Sequence, residues 1–404
     1  MYDVEIVRND FPVLKRKING KLNTFLDSAA SAQKPQAVID KIVDVYSNQY
    51  ANVHRGSYTL SEEITVSYEQ SRKITQKFLN AKSENEIIFT RNATEAINLV
   101  AYTWGKKFLT KIDEVLISEA EHHANLVPWQ MLRDEIGFEL KIFKINNDGS
   151  FNWDEYYKLL SGKTRLVAVT GMSNVLGTVF PLKKMIEAAH NVGAKFLVDG
   201  CQYVVHCPTD VQDLNCDFLA FSGHKTYGPT GIGVLYGKSE LLEAMPPYQF
   251  GGDMVNVVTY QSTTFDEPPA RFEAGTPAIV QAIGLGSALE YMMNLGMDNI
   301  YSHEQELIKY LHTRITEVSE LQEVGTAKDK GGVFSFAIDG IHPQDLAFIL
   351  DKEGVAVRVG HHCAAPLVRR MGYENLTRAS FGLYTNKSDI DRFIDAIKKA
   401  KTFF

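Results

Sequence analysis

Seven short apolar runs constrain this chain more than any other feature. They read Ile87-Ile-Phe-Thr90, Val115-Leu-Ile-Ser118, Leu140-Lys-Ile-Phe143, Leu166-Val-Ala-Val-Thr170, Phe196-Leu-Val-Asp199, Phe218-Leu-Ala-Phe221 and Ile232-Gly-Val-Leu-Tyr236. Most are continuous rather than alternating, the pattern of strands buried on both faces of a mostly parallel sheet. Helical patterns fall between them, as at Thr94 to Trp104 and Leu182 to Val192. The expectation is an α/β fold whose ligand sits at the carboxyl ends of the strands. Thr90, Thr170, Asp199 and Ser222 occupy or adjoin such ends. After about residue 285 the pattern changes. Helical stretches (Ala288 to Asn294, Ile300 to Glu320) precede Gly332-Val-Phe-Ser-Phe-Ala-Ile and then Ala379-Ser-Phe-Gly-Leu-Tyr, which predicts a smaller α+β domain. The 404 residues suffice for two domains.

Charge and cysteine usage narrow the function classes. A net charge of −7 argues against a nucleic-acid partner, which requires a clustered basic face. No apolar run approaches the ~20 residues of a membrane span, and Met1-Tyr-Asp-Val-Glu-Ile-Val-Arg lacks the apolar core of a signal peptide. The cysteines at 201, 207, 216 and 363 form no C-x-x-C pair and fit neither a zinc site nor a disulfide framework. A cytoplasmic, reduced protein without a bound metal is expected.

Two of the strand-like runs end in reactive groups. One closes with Asp199-Gly200-Cys201-Gln202, the other with Ser222-Gly-His224-Lys225, followed by a turn rich in glycine (Gly228, Gly231, Gly233). Singly, each is ordinary: a lone lysine is most often a solvated charge, and an Asp at a strand end is often a cap. Together they suit pyridoxal phosphate. The Lys225 amine forms a Schiff base, Asp199 keeps the pyridine nitrogen protonated, and the ring serves as an electron sink. Asn92-Ala-Thr94 opens a helix after a strand, a ready anion site that is equally a plain helix cap. Cys363 lies in Arg358-Val-Gly360-His361-His362-Cys363-Ala, where His361, His362 and Arg358 offer positive charge that would favour a thiolate nucleophile. Arg378 suits planar recognition of a carboxylate, although an arginine alone is usually a surface residue.

These motifs, with Leu26-Asp-Ser-Ala-Ala-Ser, His54-Arg55-Gly, Glu121-His122-His123-Ala-Asn125, Ser173-Asn174-Val-Leu-Gly177-Thr and Arg271-Phe-Glu-Ala-Gly275-Thr276-Pro, resemble the pyridoxal-phosphate-dependent cysteine desulfurases of the aminotransferase class V superfamily. The likeness is to the group II, SufS-like branch, and runs from Asp10-Phe-Pro-Val-Leu to the C-terminal helix. It implies the fold type I of pyridoxal-phosphate-dependent transferases, with a mostly parallel seven-stranded sheet. It divides the chain into a large cofactor-binding domain (22–285) and a small C-terminal domain (286–404), with 1–21 packing on the latter.

The resemblance also implies roles. Thr94, Ser222 and His224 bind the cofactor phosphate, and Thr276 reaches the phosphate of the other subunit in a homodimer. Asp199 pairs with the ring nitrogen, Gln202 with the ring oxygen, and His122 stacks on the ring and moves protons. Asn174, Arg358 and Arg378 face the substrate, with His54 at an entrance shared with the partner. Lys225 removes the α-proton of L-cysteine and Cys363 takes the sulfur as a persulfide, releasing L-alanine. The sulfur then passes to an acceptor of the SufE or SufU type for iron–sulfur cluster assembly. Selenocysteine lyase uses the same scaffold, so L-selenocysteine is an alternative substrate. A transaminase or kynureninase-like enzyme needs no Gly-His-His-Cys loop, and a non-catalytic scaffold needs no intact Lys225, Asp199, His122 and Cys363. Cys201 stands where relatives commonly carry Ala and receives no role.

Overall fold

All seven apolar runs become strands of one sheet. The computed structural model describes residues 2–404. Its strands are β1 (Ile87–Thr90), β2 (Glu114–Ser118), β3 (Glu139–Phe143), β4 (Thr164–Thr170), β5 (Lys195–Asp199), β6 (Phe218–Ser222) and β7 (Gly233–Gly237), in the order β1-β7-β6-β5-β4-β2-β3. The pairs from β6 through β3 are parallel, whereas β7 is antiparallel to both neighbours. The glycine-rich turn from β6 to β7 is too short for a crossover helix, so β7 must run back. Alternate strand residues enter opposite layers. Leu116, Val167, Phe196, Val198, Leu219 and Phe221 join one core, while Val115, Ile117, Leu166, Ala168, Leu197 and Ala220 join the other. Both faces being covered, the runs need no polar alternation. Only the edge strand β3 is largely open to solvent.

Six longer helices matter here: α1 (Thr59–Leu79), α2 (Ala93–Val100), α3 (Leu182–Asn191), α4 (Ile279–Leu295), α5 (Met297–Ile315) and α6 (Lys387–Lys401). A π-turn, Ala101–Gly105, prolongs α2 to the expected length. Helix α4 begins well before Ala288, because it is apolar on nearly every side and shows no amphipathic period to read. It fits closely on its neighbours. A Cβ on Gly286 would meet Ser71 Oγ of α1 at 2.9 Å. Helix α5 stops at Ile315 rather than Glu320. Thr316, Val318 and Ser319 are weak helix formers, and Val318 turns into the core ahead of the next strand.

A second, antiparallel sheet follows, ordered β8 (Leu321–Val324), β9 (Val333–Ile338), β11 (Leu376–Ser380), β10 (Arg358–Gly360). The strand expected from Ala379 lies earlier and ends at Ser380, because Gly382 to Thr385 close a turn (Thr385 N to Gly382 O, 2.8 Å). The N-terminal helix Val4–Asn9 packs on this part of the chain. Arg8 donates to Tyr384 O at 2.6 Å and to Asp389 Oδ2 at 2.5 Å. Among the described residues no helix is long and apolar enough to cross a membrane.

Candidate active site

The carboxyl ends of β1, β2, β4, β5 and β6 open on one cavity of about 250 Å³, closed on the far side by the β10–β11 segment. Each strand delivers a residue through the first turns after it: Thr94 after β1, His122 after β2, Asn174 after β4, Asp199 and Gln202 at the end of β5, and Ser222, His224 and Lys225 at the end of β6. Arg358 and Arg378 come from strands of the second sheet, and Cys363 from the loop that follows β10. Eleven of the thirteen residues singled out in the sequence therefore meet here. Thr276 and His54 do not. Both are exposed, in two neighbouring cavities that share Gly275 and Glu273. His54 is paired with Glu69 at 2.8 Å.

At one end of the cavity lies the N-terminus of α2. Asn92 caps it, accepting from Glu95 N at 2.9 Å, and Ser222 Oγ accepts from Ala93 N at 2.9 Å. This close approach depends on Gly233 of β7. A Cβ there would lie 2.5 Å from Asn92 Cα and 2.6 Å from its carbonyl carbon. Thr94 is exposed at the helix start. Its hydroxyl, the Ser222 hydroxyl, His224 and the helix N-terminus form a donor set suited to an anion. Burial, then the charges of Lys225 and Lys34, push His224 down to about 4, so it is a neutral donor.

Asp199 sits deeper and is almost wholly buried. One carboxylate oxygen accepts from Cys201 N at 3.0 Å, which leaves the other for a buried cation or N–H. Gln202 donates to Ala29 O at 2.9 Å. The Cys201 sulfur lies 3.9 Å from Ser222 Oγ. Burial, with Asp199 adding to it, pushes that thiol up to about 12, a protonated packing group. An anion cradle, a buried carboxylate and a lysine amine around one cavity fit pyridoxal phosphate, a compact ring with a phosphate at one end and a basic nitrogen at the other.

His122 caps the turn His123–Asn125, with Nδ1 accepting from Ala124 N at 3.0 Å. That bond assigns the proton to Nε2. Burial first, and Lys225 next, push the ring down to about 4. An imidazole at its ordinary, near-neutral pKa would suit the proton-moving role expected of His122. Desolvation instead keeps it unprotonated, a donor at Nε2.

On the opposite wall Arg378 is only 2% exposed. It donates to Asn174 O at 2.9 Å and to Asp27 Oδ1 at 3.2 Å, and its Nε has no partner. Burial brings it down to about 10, against the pull of Asp27. Asp27 lies in the Leu26-Asp-Ser-Ala-Ala-Ser run. Its role as the counter-ion of Arg378 depends on a pairing across the fold that no local pattern reveals. His362 is 5% exposed, and burial plus the guanidinium groups of Arg378 and Arg358 push it down to about 3. The charge expected from His362 beside Cys363 is therefore absent at neutral pH. Cys363 itself is exposed at the rim, unlike buried Cys207 and Cys216.

Residues 24–393 match the aminotransferase class-V family. A cysteine desulfurase of Dickeya dadantii is 49% identical over 399 residues, covering 98% of this chain and 97% of that one. A cysteine desulfurase of Synechococcus elongatus is 45% identical over 401 residues, 99% of this chain, and the chain spans 64% of that longer relative. The cysteine desulfurase CsdA of Escherichia coli, in an S-sulfonic acid form, superposes with a TM-score of 0.93 at 38% identity, each chain covered completely.

Proposed function

Because the chain belongs to the aminotransferase class-V family, alongside relatives named as cysteine desulfurases, we propose that it is itself a cysteine desulfurase dependent on pyridoxal phosphate. One observation carries the reading: an exposed thiol, Cys363, lies on the rim of the cavity that Lys225, Asp199 and His122 line. A transaminase has no use for a nucleophile there.

Thr94, Ser222 and His224 would hold the phosphate at the start of α2, Asp199 would pair with the ring nitrogen and Gln202 with the ring oxygen, and Lys225 Nζ would be the covalent attachment point. Bound there, the cofactor supplies a conjugated sink for electrons from the substrate α-carbon. Arg378, backed by Asn174 and Asp27, receives the substrate carboxylate, with Arg358 at the rim. Lys225 Nζ, in the same cavity, would accept the substrate α-proton, with His122 Nε2–H a donor beside it. Cys363 Sγ then forms a bond to the substrate sulfur as the substrate Cβ–S bond breaks. The carbon skeleton gains protons and leaves as L-alanine, and Cys363 keeps the sulfur as a persulfide. Overall, L-cysteine and the Cys363 thiol become L-alanine and a persulfide with no net electron gain. The covalent route divides a difficult C–S cleavage into two steps.

The persulfide sulfur passes to an acceptor of the SufE or SufU type in a cytoplasmic iron–sulfur assembly route. The working unit is a homodimer in which Thr276 and His54 complete the partner's site. The exposed hairpin Val255–Phe265 and the fully exposed Tyr260 support this, as apolar surface a partner would cover. The division at 22–285 and 286–404 separates cofactor binding from the part that carries Cys363. The test is alanine release from cysteine by the purified protein, with mass spectrometry locating one added sulfur. No alanine, or sulfur on another cysteine, would overturn the assignment, and full activity of a monomer would remove the dimer.

A further inference from the structure

His123 has no part in the scheme above, yet it touches the nucleophile loop twice. Its backbone N–H donates to Cys363 O at 2.7 Å. Its ring nitrogen Nε2 accepts from Ala365 N at 3.1 Å. The loop it grips is strained. His362 and Cys363 are consecutive non-glycine residues in the left-handed region, at φ 51° and 56°. Such conformations persist only where the surroundings over-determine them. A turn of the loop's own (Ala364 N to His361 O, 2.8 Å) and Asn174, which donates to His362 O at 2.7 Å, supply two ties. His123 supplies the rest.

We propose that His123 is a positioning residue for the sulfur nucleophile, its ring latching the Cys363 loop to the same short turn that carries His122. The neighbouring histidines divide the work. His122 lines the cavity, and His123, outside that lining, meets the loop at Ala365. The latch works only if Nε2 is an acceptor, which places the proton on Nδ1. Burial, with His361 adding to it, lowers the His123 pKa and keeps that acceptor available. A side chain that cannot accept at this point leaves Ala365 N–H without its partner and lets Cys363 relax from its strained backbone. Displacement of a reacting atom by about 1 Å costs on the order of 100-fold in rate.

The inference rests on Cys363 being the nucleophile, so the test reads the latch separately from the chemistry. Cofactor-loaded wild type, His123→Leu and His123→Gln are compared by three measurements. These are the visible absorbance with and without cysteine, the rate of persulfide formation in a single turnover, and the rate of Cys363 alkylation by iodoacetamide without substrate. His123→Leu is expected to keep the absorbance and its response to cysteine, form persulfide at least tenfold more slowly, and alkylate several-fold faster. His123→Gln, whose amide oxygen can accept, should recover most of both rates. Equal alkylation rates in wild type and Leu variant, or a Gln variant no better than Leu, would overturn the latch even if sulfur never reaches Cys363. Wild-type protein alone gives a further measurement: an Ala365 amide that exchanges as fast as an unprotected one also overturns it.

Discussion

Replacing Glu121 by Gln should give a stability difference from wild type that changes with pH. The carboxyl is fully buried behind His122. Burial, with Asp199 adding repulsion, pushes it up from 4.5 to about 8. A carboxyl raised in the folded state binds its proton more tightly there than in the unfolded chain. Its contribution to stability is therefore complete below pH 4.5 and is lost as pH rises toward 8. At about 1.36 kcal/mol per unit, moving from pH 6 to 9 weakens wild type by about 2.7 kcal/mol through this group. Gln cannot titrate, and its cost is geometric. Thr170 N and Ser118 Oγ hydrogen-bond Oε1, and Asn125 Nδ2 donates to Oε2. Trp129 Nε1 in turn donates to Asn125 Oδ1 and fixes that amide's orientation. Either placement of the Gln amide sets its NH2 against at least one donor, Asn125 Nδ2 at the Oε2 position or Thr170 N at the Oε1 position, costing about 1–3 kcal/mol at every pH. The variant should thus be less stable at pH 6, with the gap closing by about 2.7 kcal/mol by pH 9. Paired unfolding curves at four pH values measure the gap, and other titrating groups cancel in the difference. A gap independent of pH would mean that the hydrogen bonds hold Glu121 ionised throughout, and would refute the reasoning.

Gly233→Ala should lower the stability by about 1–3 kcal/mol and weaken cofactor binding, since its Cβ meets backbone atoms of Asn92 that cannot yield without moving α2. Calorimetry and cofactor titration check this, and wild-type values in both would sink it. Arg378→Met should raise KM for cysteine tenfold or more, because charge-assisted hydrogen bonds are each worth about 1.5–3 kcal/mol; an unchanged KM places the carboxylate elsewhere. Cys363→Ser should keep the cofactor and still respond to cysteine in its absorbance, yet form no persulfide detectable by mass spectrometry. Undiminished alanine release by that variant under reducing conditions would remove the thiol from the mechanism.

What the chain revealed in advance follows a physical rule. Strands buried on both faces write themselves as apolar runs, so β1, β2, β4, β5 and β6 and the polar residues at their ends were legible. Helix α4 was only partly legible, because a helix buried on most sides loses its period. Lys225, Asp199 and Cys363 could be named because chemistry demands those residue types. Their protonation could not. His362 and His122 look like titrating groups until the structure shows how little water reaches them. Asp27 and His123 were invisible as partners because each acts on a residue hundreds of positions away.

The two walls of the cavity come from different sheets. The residues of this cavity that would hold the cofactor are all carried at the ends of the large sheet's strands, while Cys363 and both arginines belong to the 358–378 segment. The choice of bond to be broken is therefore modular with respect to the cofactor. A different 358–378 segment on the same seven strands would retarget the chemistry without rebuilding the machinery beneath it, a route by which one scaffold diversifies its reactions.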